Sequence, residues 1–171
     1  MTSTGQANEP VYHNLPVEAY YPHVGELIRN AQSRAEVYCI VLDHYPANHA
    51  AVMRAIVQAP PGGVAIHCHA GKDRTGVIVA LLLDLVGVPA ELIAEDYAES
   101  QIRLWPLYEQ IIAKIGDEAQ VDFWLKPTAT AEMMFSLLAH IQQVYGNSRG
   151  YLRWAGLNET ELEQLSGKLC N

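Results

Sequence analysis

One stretch of this 171-residue chain holds side chains whose types and order could do chemistry. It reads Val64-Ala65-Ile66-His67-Cys68-His69-Ala70-Gly71-Lys72-Asp73-Arg74-Thr75-Gly76. A short apolar run enters a polar turn, and the turn feeds an apolar helix. Such a turn points several backbone N–H groups at one spot, and the positive end of the helix dipole reinforces them. That spot is an anion site. Gly71 supplies the backbone freedom the turn needs. Arg74 can fork onto two phosphate oxygens. The same field favours thiolate over thiol. A cysteine at a helix N-terminus near arginine can fall from about 8.5 to roughly 3.5–7.5. A Cys68 thiolate beneath a bound phosphate is placed for in-line attack on phosphorus, and the Thr75 hydroxyl can donate to the sulfur.

His67-Cys68, five residues, then Arg74-Thr75 resembles the HC-x5-R-[ST] loop of the cysteine-dependent protein tyrosine phosphatase superfamily. The fuller HCHAGKDRTG is similar to the loop of its bacterial tyrosine and phosphoinositide phosphatase branch. Gly87-Val88-Pro89, Ile93 and Asp96-Tyr97-Ala98-Glu99-Ser100 resemble that branch after the loop helix. Gly150-Tyr151-Leu152-Arg153 with Gly156-Leu157 resembles its C-terminal end, so the resemblance spans Pro10 to the C-terminus. It implies an α/β fold, a short, mostly parallel sheet flanked by helices. It also implies a two-step phosphomonoester hydrolysis through a phosphocysteine on Cys68. Arg74 and the loop from His69 through Ala70, Gly71, Lys72 and Asp73 to Thr75 would hold the phosphate. Asp73 would protonate the leaving oxygen and then help activate water. Lys72 would add charge that suits a multiply phosphorylated head group. His67 and Asp96 would support the loop. No cofactor and no metal is implied. The substrates implied are phosphotyrosine in proteins, with dual-specificity or phosphoinositide activity beside it.

Other residues have plainer readings. Cys39 and Cys170 read as inert. Asp43 sits in the helical pattern IVLDHY and reads as a solvent-facing side chain. Asp96 and Tyr97 read as structural partners of the loop. His67, Cys68 and His69 cannot converge on one tetrahedral ion from so short a turn. A Walker A loop is excluded, because Asp73 follows Gly71-Lys72 where Ser or Thr is required. Trp105, Trp124 and Trp154 read as core or groove walls.

The elements that must position this loop read as mostly helical. Val17 to Ala59 divides into about three helices, broken at Gln32-Ser33 and at Tyr45-Pro46-Ala47-Asn48. Pro60-Pro61-Gly62-Gly63 is a hard stop. Val64 to Ile66 reads as a buried strand and Val11 to Leu15 as an edge strand. Thr75 to Val86 reads as a central helix. A helix over Ala90 to Leu104 is followed by a restart at Trp105-Pro106. Ala131 to Tyr145, Tyr151 to Trp154 and a capped last helix after Asn158 complete the pattern. Residues 1–9 read as a loose tail and 10–171 as a single phosphatase-like domain.

Composition bounds the rest. Eleven basic and nineteen acidic side chains leave a net charge of −8, which argues against a nucleic-acid partner. The longest apolar run, Val77 to Leu83, is far short of a membrane span, and the N-terminus has no secretory pattern. Three scattered cysteines fit a cytoplasmic setting. Family members begin with a segment like NFRDLGG and a strand ending Asp-Leu-Arg. Neither occurs here, so the chain reads as N-terminally short, with strands missing. Two alternatives follow, a phosphate-binding module or a weakly active truncated phosphatase. The open sheet edge points to a homo-oligomer.

Overall fold

Helices dominate the computed structural model, which describes residues 10–19, 21–121 and 126–170. The expected tail at 1–9 and Trp124 lie outside them. In chain order the elements are α1 (Pro22–Asn30), α2 (Arg34–His44), α3 (Pro46–Gln58), α4 (Asp73–Leu85) and α5 (Ala90–Ile115). A 3-10 turn at Glu118–Gln120 precedes α6 (Ala131–Tyr145), α7 (Ser148–Trp154) and α8 (Glu159–Leu169).

Local chemistry sets the boundaries. Ser33 caps α2 by accepting from the Glu36 amide at 3.1 Å, and the Glu36 carboxylate accepts from the Gln32 amide at 2.6 Å. Pro46 opens α3, where its missing N–H costs nothing. Asn158 and Glu161 close a full capping box on α8.

The apolar helix α4 is the hub. It buries Val77, Ile78, Ala80, Leu81 and Leu82 and packs against α2, α5, α7 and α8. Met53 and Ile56 of α3, Leu137 and Ile141 of α6, and Leu162 and Leu165 of α8 share its core. A smaller cluster joins Val24 of α1 to Val37, Val41 and Tyr45 around α2. Asp84, near the end of α4, accepts from the Ser148 amide at 2.9 Å and so fixes the start of α7. Tyr151 donates to the Leu42 carbonyl at 3.0 Å, tying α7 to α2.

The expected sheet is overturned: among the described residues there is no strand. Val64 to Ile66 was expected to be buried on both faces, yet Val64 is 46% exposed and Ala65 is also exposed. Val11 to Leu15 is irregular and largely exposed too. Tyr12 stacks on His67, with ring centroids 6.3 Å apart, but no ladder forms there. Three or four apolar residues offer too few ladder bonds to hold a strand without a flanking partner. Edge pairing between copies therefore has no strand edge to act on among the described residues.

Two smaller expectations are also corrected. The restart at Pro106 does not occur, and α5 runs through it. Proline removes one intrahelical bond and frees the carbonyl four residues back. Here that residue is Ile102, which is solvent-exposed, so water can take the bond. Trp105 and Trp154 are not core residues but lie about half exposed. Trp105 donates to Glu109, while Trp154 packs on the Tyr145 ring, with centroids 5.0 Å apart.

Candidate active site

The loop from His67 to Lys72 ends at the N-terminus of α4, with Lys72 in the N-cap position and Asp73 first in the helix. Gly71 takes φ +67°, in the left-handed region, and nothing lies within 4 Å of where a side chain would start. The turn therefore needs glycine for its backbone alone. The first helical bond runs from the Gly76 amide to the Lys72 carbonyl at 2.7 Å. This leaves the earlier amides of the loop to other partners.

Those amides serve Cys68. Burial pushes its thiol up, but the Thr75 hydroxyl and the amides of Thr75, Lys72 and Gly71 donate to the sulfur. The four donors outweigh burial and bring the pKa down to about 7. Thr75 Oγ1 is itself buried, and its hydroxyl is among the groups that favour the Cys68 thiolate. Cys39, in contrast, is pushed up to about 11 by burial and by the nearby Asp43 and Glu36 carboxylates. Cys170 is exposed at the end of α8.

Arg74 is about half exposed, and its Nε lies 4.0 Å from Glu18 Oε1. An exposed pair of this length holds the guanidinium weakly, so it can swing over the loop. Cys68, His69, Ala70, Asp73 and Arg74 form one side of a cavity of about 380 Å³. Its other walls are mostly apolar, from Val17, Ile28, Val37, Val41 and Val77, with Glu18, Tyr38 and His49 among them. Polar donors at one end and apolar walls beyond suit a phosphate carried on an apolar or aromatic body.

The loop is braced from behind by charges that are out of water. Lys72 is 1% exposed and Arg34, on α2, is 2% exposed. Lys72 Nζ donates to the Lys126 carbonyl at 2.6 Å, and Arg34 donates to the carbonyls of Lys126 and Thr128, each at 3.2 Å. Gln101 of α5 accepts from the Ala129 amide at 2.9 Å and holds the same segment from its other side. Between the two cations sits Asp73. Arg34 Nη1 is 3.4 Å from its Oδ1 and Lys72 Nζ is 3.5 Å from its Oδ2. Burial pulls the Lys72 ammonium below the usual lysine range, and Asp73 opposes that pull. The Tyr38 hydroxyl also donates to Asp73 Oδ1, and Tyr38 and Tyr97 meet oxygen to oxygen at 2.6 Å.

The residues singled out in the sequence thus fall into three groups. Cys68, His69, Ala70, Gly71, Asp73, Arg74 and Thr75 come together at the head of α4. Lys72 gives its amide to Cys68 but turns its ammonium inward, so its charge is not presented to a second phosphate group. His67 is exposed and donates from Nδ1 to the Cys68 carbonyl at 3.0 Å. Asp96 is exposed on α5, and no described contact brings it to the loop; its neighbour Tyr97 instead meets Tyr38 of α2, which donates to Asp73. Asp43 is not simply solvent-facing. It accepts from His140 at 2.9 Å and from Tyr145 at 2.7 Å, joining α2 to α6.

Sequence reasoning missed Arg34 and Tyr38. The signal was present. Positions 34, 38, 41 and 42 share one helical face, and Arg34 and Tyr38 are the polar members of a face otherwise made of Val41 and Leu42. A lone arginine on a buried face needs acceptors, and the carbonyls of Lys126 and Thr128 supply them together with Asp73.

Comparison with known proteins bears on this geometry. A family model described as the tyrosine phosphatase family matches residues 3–171. A tyrosine-protein phosphatase of Nostoc commune is 34% identical over 149 residues, covering 80% of this chain and 49% of its own length. The triple specificity protein phosphatase PtpB of Mycobacterium tuberculosis is 32% identical over 123 residues, covering 62% of this chain and 43% of its own. The chain thus spans about half the length of the curated relatives it matches.

Proposed function

The chain belongs to the tyrosine phosphatase family, and from that premise we propose that it hydrolyses phosphomonoesters through a phosphocysteine on Cys68. The observation that carries the reading is the convergence of four donors on one sulfur, which draws the thiol to about 7 at a helix N-terminus. At neutral pH half of such a thiol is thiolate, the form that attacks.

In the first step the sulfur bonds to phosphorus as the bond from phosphorus to the leaving oxygen breaks. Arg74 swings from Glu18 and forks onto two of the phosphoryl oxygens, and the loop amides meet the third. Asp73 gives a proton to the leaving oxygen. In the second step water attacks phosphorus, the S–P bond breaks and Asp73 takes a proton from that water. Cys68 is again thiolate and inorganic phosphate departs. The transferring charge is met by Arg74 and backbone dipoles, so no metal or other cofactor is called for.

The apolar walls of Val17, Ile28, Val37 and Val41 favour an aryl phosphate, and phosphotyrosine in a protein is the proposed substrate. The mycobacterial relative is a triple specificity phosphatase, and on that likeness the proposal extends to dual specificity. A cytoplasmic site of action is part of the same proposal. No helix among the described residues is long and apolar enough to cross a membrane.

Cys68→Ser is the direct test. A serine hydroxyl stays protonated at neutral pH, so hydrolysis of p-nitrophenyl phosphate should fall by on the order of 10³-fold or more. The amide cradle remains, so vanadate should still bind. Turnover within a few-fold of wild type would sink the thiolate mechanism.

A further inference from the structure

Asp73 is held by more groups than its place in the loop requires, and they are spread unevenly over its two oxygens. Oδ1 faces α2, where the Tyr38 hydroxyl donates to it and Arg34 Nη1 lies 3.4 Å away. Oδ2 lies 3.5 Å from Lys72 Nζ, a contact about as long as the Arg34 one, so the Tyr38 bond is what distinguishes the two oxygens. A guanidinium can only donate. Tyr38 has one proton, and it goes to Oδ1. The proton between the two phenols is therefore that of Tyr97, whose oxygen lies 2.6 Å from that of Tyr38. The Met133 sulfur, at 3.9 Å from the Tyr97 oxygen, is a second and weaker acceptor. The chain of donation runs one way, from Tyr97 to Tyr38 to Asp73, and each bond polarises the next.

Both phenols stay protonated. Burial first, then the charges of Tyr97 and Asp73, push Tyr38 far above the usual tyrosine range. Burial pushes Tyr97 up to about 12. The rings cannot drift, since they pack edge to face with centroids 6.3 Å apart and Tyr97 is wedged over Gly76.

We propose that Tyr38 is a positioning residue for Asp73: with Arg34 it keeps Oδ1 an acceptor, so that the proton handed to the leaving oxygen rides on Oδ2. The inference rests on the reading of Asp73 as proton donor. In that step the Oδ2–H bond breaks as the leaving oxygen takes the proton and parts from phosphorus. Oδ2 regains a proton from the water that hydrolyses the phosphocysteine. Tyr38 gains and loses nothing; it sets the rotamer of the carboxyl and which oxygen carries hydrogen.

The experiment compares Tyr38→Phe with wild type on two substrates, in the native background and in Asp73→Asn. Phenyl phosphate has a poor leaving group that needs a proton, whereas p-nitrophenyl phosphate leaves without one. Tyr38→Phe should slow phenyl phosphate about tenfold and p-nitrophenyl phosphate at most about twofold, the expected size for one lost hydrogen bond. In Asp73→Asn the same change should add nothing, because the group it positions is gone. Equal losses on both substrates, or the full loss repeated in Asp73→Asn, would overturn the proposal. Should Tyr38→Phe not fold, Tyr97→Phe carries the test. It takes away the donor behind Tyr38, so about threefold on phenyl phosphate is expected, and no selectivity counts against the proposal. A wild-type chain that hydrolyses neither substrate overturns the phosphatase reading and this inference together. Turnover by wild type with unselective phenylalanine variants overturns this inference by itself.

Discussion

At Cys68 burial and hydrogen bonding pull in opposite directions, and the count of donors decides the outcome. Burial disfavours thiolate, but one hydroxyl and three amides favour it and win. The consequence can be measured by following alkylation of Cys68 with iodoacetamide against pH. Thiolate is the reactive form, so the rate should rise with pH to half its maximum near 7, not near 8.5 as for an ordinary thiol. Thr75→Val removes one donor and leaves burial in place. The midpoint should then move up by about one pH unit, since a hydrogen bond to a charged group contributes about 1.5–3 kcal/mol. A midpoint that stays put would remove the hydroxyl from that role. These residues were legible in the sequence because they are consecutive: loop, helix start and nucleophile are read within ten positions. Arg34 and the Lys126 and Thr128 carbonyls were not legible, because Arg34 meets Asp73 across 39 residues, Lys126 meets Lys72 across 54 and Thr128 meets Arg34 across 94. Periodicity along one helix says that Arg34 is buried. It does not say against what.

At the scale of elements α4 and α5 approach closely where Gly76 meets Tyr97. A Cβ at position 76 would lie 2.7 Å from Tyr97 Cδ2 and 2.9 Å from Cε2. Helix propensity alone favours alanine over glycine by about 1 kcal/mol. The ring cannot give way, because its hydroxyl is held against Tyr38 at 2.6 Å. The clash should therefore win. Gly76→Ala is expected to lower the unfolding free energy by about 1–3 kcal/mol in urea titration. A stabilised variant would mean that the ring moves aside. The helices themselves were readable from their 3.6-residue periodicity and their caps, as α6 and the Asn158 box show. The sheet was misread because Val64 to Ile66 has strand composition. Composition describes what a segment could pair with, and pairing requires a neighbour that the described residues do not supply. Proline misled in the opposite direction at α5, where an exposed turn carried on through Pro106.

For the molecule as a whole, stability rests on the helix that begins at the nucleophile loop. Leu81 is fully buried on α4, among contributions from α3, α6, α7 and α8. Leu81→Ala should cost about 2–5 kcal/mol, read as a lowered urea midpoint at unchanged slope. A loss below about 1 kcal/mol would show that the core collapses around the gap. That α4 would be central was evident from its apolar faces; that α2 would supply the cations behind the loop was not, since distance along the chain hides it. The brace itself has a consequence for how this protein can vary. Lys72 and Arg34 grip Lys126 and Thr128 by their carbonyl oxygens, and every residue has one. The tie is therefore indifferent to which side chains stand at 126 and 128. Alanine scanning across that segment would pass over it, and so would a search for invariant letters. What the two cations constrain is the path and length of the chain. A single-residue insertion or deletion between Lys126 and Ala129 would do what no substitution there does, and withdraw both acceptors at once.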